Sequence, residues 1–338
     1  MFKVAAFTGG IVVPSARFRV RQYIPTLQGY GVALEEMWSR FGCYPPKAKW
    51  KRPIWASATL AVQLPNVVKS WHYDAVLLQR EMLSTFVTLE SLTGKPRILD
   101  VDDAIFLNRG DCFARRLAQL ADRVICGNAY LAERFSVWNR DVTVIATTVD
   151  AQRYIPIAKG TERGDSIVIG WIGTSANLKY LYDLEAAIAQ VMKSVPGARL
   201  RIVCDKCPAF QIISSDRVDF IRWSEEIEVA SIQGMDIGIM PLEDTEWARG
   251  KCSFKMLQYM SCGLPVVVSP VGMNLEVLAL GTVGIGAATM DQWIDALLVL
   301  LKNAKLRTCM GVVGRQVVET YFSIEVLAPR LAVVLKGE

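Results

Sequence analysis

Two lysines stand where the sequence predicts the start of a helix in the second half of the chain. Ser253 is the predicted N-cap of this helix, Lys251 precedes it and Lys255 lies in its first turn. Because the helix dipole disfavours cations at an N-terminus, the two lysines indicate an anion such as a phosphate. Two solvated lysines are the alternative. The helix is predicted to end near Gly263, which supplies a left-handed residue, before Pro265.

A glycine-containing turn, Gly170-Trp-Ile-Gly-Thr-Ser-Ala-Asn177, follows a predicted buried strand and precedes a helix. Glycine lets backbone N–H groups approach a phosphate, and the next helix N-terminus adds a favourable dipole. A plain tight turn is the alternative. The spacing is not G-x-G-x-x-G, and no acidic residue closes a second strand about twenty residues further on, which disfavours a nicotinamide cofactor.

The first half carries two further charged groups. Gly10 follows the first apolar run, and Arg17 and Arg19 come soon after it, so they are candidates for binding an acceptor phosphate or for a solvated basic face. Asp102 and Asp103 close an apolar run that reads as a strand, the edge where open α/β sheets bind ligands. Either aspartate is a candidate catalytic base or acceptor ligand, with helix capping as the alternative.

The segment from Tyr44 to Trp55 interleaves four cations with Trp50 and Trp55. Aromatic rings sit at the headgroup level of a bilayer and cations meet anionic lipid there, so this segment is a candidate membrane contact. An ordinary exposed loop is the alternative.

The elements that position these groups alternate between short apolar runs and segments of helical period. Strand-like runs at Phe2–Phe7, Ala75–Leu78 and Arg97–Leu99 are followed by others of the same kind after a polar linker near residues 151–165. The pattern predicts an α/β protein with two doubly wound sheets. We expect domains at 1–155 and 165–322, with the segment 323–338 crossing back to the first.

Composition limits the function. The net charge is +5, and the first 150 residues carry 19 Lys or Arg against 13 Asp or Glu, which suits a phosphorylated ligand or anionic membrane better than nucleic acid. The apolar runs are too short to span a membrane, so we expect a cytoplasmic protein. Eight scattered cysteines and a single histidine favour reduced thiols and no metal site.

The stretch Lys255-Met-Leu-Gln-Tyr-Met-Ser-Cys-Gly-Leu-Pro-Val-Val-Val-Ser, with Gly272 and Glu276 after it, resembles the signature of the glycogen-synthase-like glycosyltransferases, often numbered family 4. Asp236-Ile-Gly-Ile-Met-Pro241 resembles the approach to that signature. The resemblance covers residues 165 to 280 in motif. It implies the GT-B fold, in which two Rossmann-like domains face each other across a cleft.

The resemblance also implies donor contacts in the second domain. The phosphates of a nucleotide-diphosphate sugar would lie near Gly173, Thr174, Lys251 and Lys255, with Gly272 and Glu276 also on the donor side. Gln258 stands where the family has a glutamate that holds the ribose, and Gly250 stands where it has another. Asp244 or Glu246 could replace the second glutamate.

These features together predict transfer of a sugar from a nucleotide-diphosphate donor to a glycan or lipid-linked hydroxyl, in cell-surface polysaccharide synthesis. Most members retain the anomeric configuration and use no metal, and we expect the same here, with Lys255 supplying catalytic charge. The alternatives are a nucleotide-sugar epimerase or hydrolase and a donor-binding protein without activity.

Overall fold

The computed structural model describes residues 1–42, 44–108, 110–158 and 166–338. These residues form two compact units. The first comprises Met1–Thr148, Arg249–Cys252 and Ile324–Glu338, and the second comprises Val149–Ala248 and Ser253–Ser323. The chain therefore leaves the first unit at Thr148, rather than at about residue 155.

The first unit contains a six-stranded parallel sheet with the order β2-β1-β3-β4-β5-β6. Its central strands are apolar on both faces, because helices cover both sides of such a sheet. The strands are β1 (Phe2–Phe7), β2 (Val32–Met37), β3 (Ala75–Gln79), β4 (Arg97–Val101), β5 (Arg123–Cys126) and β6 (Val142–Val144).

Helices connect these strands. They are α1 (Pro14–Arg19), α2 (Ile24–Gly29), α3 (Arg52–Lys69), α4 (Cys112–Leu120) and α5 (Ala129–Ser136). Proline at the first or second position begins α1, α2 and α3, where its missing N–H costs nothing. Asn128 begins α5 by accepting a hydrogen bond from the Leu131 N–H.

The second unit repeats the design with a six-stranded parallel sheet of order β12-β11-β10-β7-β8-β9. Two such sheets with interleaved helices confirm the predicted α/β class. The strands are β7 (Ile167–Ile172), β8 (Ala198–Cys204), β9 (Val218–Arg222), β10 (Ile237–Met240), β11 (Val266–Val268) and β12 (Gly284–Gly286).

The helices of the second half are α6 (Lys179–Asp183), α7 (Glu185–Ser194), α8 (Glu228–Gln233), α9 (Glu246–Arg249), α10 (Phe254–Ser261), α11 (Met273–Leu278), α12 (Met290–Lys302) and α13 (Ala304–Tyr321). The predicted end of α10 has its left-handed glycine, since Gly263 has a φ of 70°. The last helix, α14 (Ile324–Lys336), packs Leu327, Leu331 and Leu335 into the core of the first unit.

Within the described ranges, no helix is both long enough and apolar enough to cross a membrane.

Candidate active site

The predicted donor residues of the second unit lie in loops that follow the carboxyl ends of β7, β10 and β11. Gly173 and Thr174 follow β7, Lys255 begins α10 after β10, and Gly272 and Glu276 follow β11. In an open parallel sheet this edge is where ligands bind. The topology therefore brings residues that are up to a hundred positions apart in the chain to one edge.

Lys255 and Gly173 lie side by side. The Lys255 ammonium lies 4.4 Å from the ring centroid of Trp171, a buried residue of β7. A Cβ on Gly173 would stand 2.6 Å from the same Nζ atom. Glycine at 173 thus leaves the space that the half-buried ammonium occupies, and Trp171 holds the ammonium by a cation–π contact.

The start of α10 has an unusual backbone. Ser253 occupies the N-cap position with a φ of 51°, and its side chain makes no capping hydrogen bond. The Ser253 hydroxyl donates instead to the Asn274 side-chain oxygen at 2.7 Å, and Asn274 donates to the Ser269 carbonyl at 3.0 Å. This corrects the predicted cap. The serine ties the start of α10 to the loop after β11 and does not cap the helix.

The loop after β11 also needs glycine. Gly272 precedes α11 with a φ of 52° and a ψ of −133°, a combination that residues with a Cβ avoid. Glu276 lies exposed in the first turn of α11, where the dipole favours a carboxylate. Their predicted contacts with the donor remain predictions.

The turn after β7 differs from its prediction. A short 3₁₀ helix, Ser175–Asn177, begins there, and a carboxylate of the protein already accepts the N–H at its N-terminus. The Ser175 N–H and hydroxyl both donate to Asp205, at 2.7 and 2.8 Å. Burial alone would raise the pKa of Asp205, but the hydrogen bonds from Ser175 outweigh it and hold that pKa below its ordinary value. A carboxylate therefore sits at the predicted phosphate position of this helix, while Thr174 beside it is exposed.

Gln258 belongs to a buried hydrogen-bond network. Its amide nitrogen donates to the Tyr154 hydroxyl at 3.0 Å and to Glu228 at 3.1 Å. The Tyr154 hydroxyl also donates to Glu228, and the indole N–H of Trp223 donates to the other Glu228 oxygen at 2.7 Å. Since Gln258 is only 3% exposed, a ribose contact would require this network to open. The structure thus gives Gln258 a packing role within the second unit.

In the first unit, Arg80 joins the two candidate aspartates. Arg80 follows β3, and its guanidinium contacts carboxylate oxygens of Asp102 at 2.5 Å and of Asp103 at 2.6 Å. Its φ of 62° is a left-handed value that arginine rarely adopts. A strained residue held in this way is typical of functional sites.

The electrostatics of this cluster distinguish Asp103 from ordinary aspartates. Burial raises the pKa of Asp103, and the charges of Arg80 and Lys251 lower it by less, so the pKa lies above its usual range. A carboxylate with a raised pKa is a stronger base than an exposed one. The ion pairs with Arg80 also hold both aspartate side chains in place, so these side chains are not available to cap a helix.

Lys251 belongs to the first unit rather than the second. The Asn128 amide donates to the carbonyls of Arg249 and Lys251, both at 3.1 Å, and the Cys252 thiol donates to the Asp102 carbonyl at 3.2 Å. The segment Arg249–Cys252 is thereby held against the ends of β4 and β5. Lys251 and Lys255 thus lie in different units, although four positions separate them.

Gly250 explains the missing glutamate. A Cβ at this position would stand 2.6 Å from the Ala104 Cβ and 2.9 Å from the Ala104 nitrogen. Backbone atoms cannot move aside as a flexible side chain can. No side chain fits at residue 250, so the family's glutamate has no room here. Asp244, on the preceding loop, and Glu246, the first residue of α9, are both exposed.

The three predicted acceptor residues lie in different surroundings. Arg19 is 4% exposed and pairs with the buried Asp100, and its guanidinium also donates to the Ile145 carbonyl at 2.7 Å. Burial of this pair corrects the prediction, because Arg19 has no surface for an acceptor phosphate. Arg17 is half-buried with its guanidinium 4.7 Å from the Phe18 ring centroid. Gly10 adopts a φ of 108° in the loop after β1, beside Trp38.

Four residues of these clusters were not predicted from the sequence: Arg80, Asp205, Tyr154 and Glu228. Arg80 and Asp205 each stand directly after a buried strand, which was the signal that identified Asp102 and Asp103. Tyr154 and Glu228 left no such signal, since only folding brings them to Gln258.

Comparison with known proteins agrees with this architecture. Residues 166–303 match the family described as Glycosyl transferases group 1. The second half of the chain is thus similar in sequence to this family, and the two sheets have the GT-B fold. None of the proteins with curated descriptions matches the sequence.

Three solved structures illustrate the fold. Sucrose-phosphate synthase from Thermosynechococcus elongatus superposes with a TM-score of 0.77 at 16% identity, over 100% of this chain and 99% of that one. HepE from Anabaena, in complex with UDP and glucose, gives 0.70 at 14% identity over 100% of both chains. WaaG, a glycosyltransferase involved in lipopolysaccharide biosynthesis, gives 0.67 at 13% identity over 99% of this chain and 100% of that one.

Proposed function

We propose that this protein transfers a sugar from a nucleotide-diphosphate donor to a hydroxyl of a glycan or lipid-linked acceptor. The observation that carries the proposal is the arrangement of Lys255 beside Gly173 at the start of α10. A half-buried ammonium at a helix N-terminus opposes the dipole, and a diphosphate bound between them would satisfy both.

Lys255 would then act on the leaving group. The bond between the anomeric carbon and the diphosphate oxygen breaks during transfer, and negative charge develops on that oxygen. A fixed cation beside it stabilises this charge in the transition state. Transfer with retention and without a metal ion is part of the proposal.

Asp103 is the candidate base on the acceptor side, with Asp102 and Arg80 holding it. As retention requires, the acceptor oxygen bonds to the anomeric carbon on the face from which the diphosphate departs, and the hydroxyl proton passes to the carboxylate. The raised pKa of Asp103 supports this assignment. Arg17 and Gly10 remain candidates for acceptor contacts.

A UDP-sugar is the donor class to test first, since HepE was crystallised with UDP and with UDP-glucose. The proposed process is assembly of a cell-surface polysaccharide. The proposed acceptor is lipid-linked and lies at the cytoplasmic face of a membrane. WaaG, of the same fold, is described as involved in lipopolysaccharide biosynthesis.

A panel of nucleotide sugars separates this proposal from its rivals. Purified protein is incubated with each donor, first alone and then with a lipid-linked glycan mixture, and donor and product are followed by chromatography. A transferase consumes one donor rapidly only when acceptor is present. Conversion of the donor to another nucleotide sugar would show that the protein is an epimerase, and rapid hydrolysis without acceptor would show that it is a hydrolase. Nucleotide binding without any turnover would replace it by a binding protein.

A further inference from the structure

Helix α3 exposes an apolar face. Its buried residues are Thr59, Gln63 and Val67, at 1%, 2% and 1% exposed, whereas Ile54, Leu64 and Val68 are 67%, 48% and 46% exposed. A surface helix of a globular domain normally buries its apolar stripe. The Thr59 hydroxyl has no hydrogen-bond partner among the described residues, so burying this side chain costs folding free energy. The exposed apolar face therefore indicates a partner.

Exposed tryptophans flank α3 at both ends. Trp50, in the turn Lys49–Lys51 before α3, is 71% exposed, and Trp71, just after the helix, is 61% exposed. The Trp71 indole N–H donates to the Leu92 carbonyl, which holds its ring outward in one position. An 18-residue helix is about 27 Å long, so the two tryptophans mark the ends of an extended surface.

The charge of the segment selects the partner. Between Glu36 and Asp74 the sequence contains no acidic residue. The same interval contains six basic residues, which are Arg40, Lys47, Lys49, Lys51, Arg52 and Lys69, and of these Lys69 pairs with Glu35 at 2.5 Å. A second copy of this chain would place two such cationic faces together, which is unfavourable. An anionic bilayer complements both the charge and the apolar face.

We propose that α3 and the turn Lys49–Lys51 lie in the headgroup region of an anionic bilayer, parallel to its surface. Ile54, Leu64 and Val68 point toward the acyl chains, and Trp50 and Trp71 anchor the two ends at the interface. The inference deepens the proposed function and rests on it in one respect: a lipid-linked acceptor is held in this membrane, so docking brings the enzyme to its substrate.

Vesicle flotation of the full chain tests this surface. Vesicles of phosphatidylcholine alone and of phosphatidylcholine with phosphatidylglycerol are compared at low and high salt. Wild-type protein is expected to float with the anionic vesicles only, and less at high salt. Replacing Lys47, Lys49 and Lys51 by Gln should lower the partition constant roughly a hundredfold, since each cation near an anionic surface contributes about a factor of five.

The apolar variant separates α3 from a merely basic loop. Ile54→Gln, Leu64→Gln and Val68→Gln together should abolish flotation while all the cations remain. The matched control replaces Val299, Val312 and Val333 by Gln, since these valines are 47%, 53% and 44% exposed on α12, α13 and α14. The control should float like the wild type. Unchanged flotation of the apolar variant would overturn the assignment of α3.

Two other outcomes would also overturn it. A dimer in sedimentation velocity that the apolar variant dissociates would make a second copy the occupant. Wild-type protein that neither floats nor self-associates would leave the face to another protein. UDP binding, followed by thermal shift, is measured on every variant. If a variant loses flotation but still binds UDP, the change affects only the membrane surface of α3. If the protein floats but binds no nucleotide, the result contradicts the proposed function and not the membrane surface.

Discussion

Replacing Lys255 by Ala tests the donor site most directly. In the free protein the change removes the cation–π contact with Trp171, worth about 1 kcal/mol for a partly buried pair. It also removes a cation from the N-terminus of α10, which relieves roughly 0.3–1 kcal/mol of unfavourable dipole interaction. The two effects nearly cancel. The stability of the free variant is therefore expected to stay within about 1 kcal/mol of the wild type.

The nucleotide-bound protein should behave differently. A charge-assisted contact with the diphosphate contributes about 1.5–3 kcal/mol, so its loss weakens binding about 10- to 150-fold. A ligand at about 100 times the wild-type dissociation constant stabilises the folded protein by about 2.7 kcal/mol. At the same concentration the variant would gain only about 0.3–1.4 kcal/mol.

Thermal unfolding with and without UDP measures both quantities in one experiment. Lys179→Ala is the matched control, because the Lys179 ammonium lies 4.6 Å from the Tyr180 ring centroid at the first residue of α6, outside the family signature. The control should keep the full UDP-induced shift. A UDP-induced shift in Lys255→Ala equal to that of the wild type would refute the donor role of this lysine.

Three further predictions concern the first unit and the thiols. Gly250→Ala should cost about 1–3 kcal/mol of unfolding free energy by overpacking against Ala104, whereas Gly29→Ala, whose Cβ meets nothing within 4 Å, should not; equal denaturation midpoints would show that residue 250 has room. Asp103→Asn should lower turnover roughly 10²–10⁴-fold and remove the acidic limb of the pH–rate profile. In the wild type this limb should lie above the ordinary aspartate range, because a base with a raised pKa loses activity as the pH falls through that pKa. Asp111→Asn, at an exposed pair with Arg115, is its control, and full activity of Asp103→Asn would make the cluster structural. Maleimide at pH 8 should label the exposed thiols quickly and the buried ones slowly. Burial raises the pKa of Cys262 to about 12, and the reactive thiolate forms only as the pH rises toward that value. Mass spectrometry identifies the labelled sites, and rapid labelling of Cys252 would contradict the packing of its segment. Among the cysteines that the structure describes, Cys112, Cys207 and Cys309 are exposed, and Cys126, Cys204, Cys252 and Cys262 are buried.

Local signals in the sequence were sufficient for the fold class. Short apolar runs between helical segments predicted two doubly wound sheets, because strands buried on both faces must be apolar throughout. The edge strand β2 escaped notice, since Glu35 and Glu36 interrupt its apolar pattern. The similarity of residues 166–303 to the glycosyltransferase family was also readable, because the glycines of the signature meet local backbone constraints.

Tertiary structure alone decided which charged residues remain available. Arg19, Arg80, Asp102 and Asp103 all look like exposed charges in the sequence, yet the parallel sheet brings the ends of its strands together and pairs them. Pairing depends on atoms that are tens of residues apart, so no local pattern reports it. The same reason applies to Gly250, whose missing side chain is explained only by Ala104, and to α3, whose inward face only the folded chain reveals.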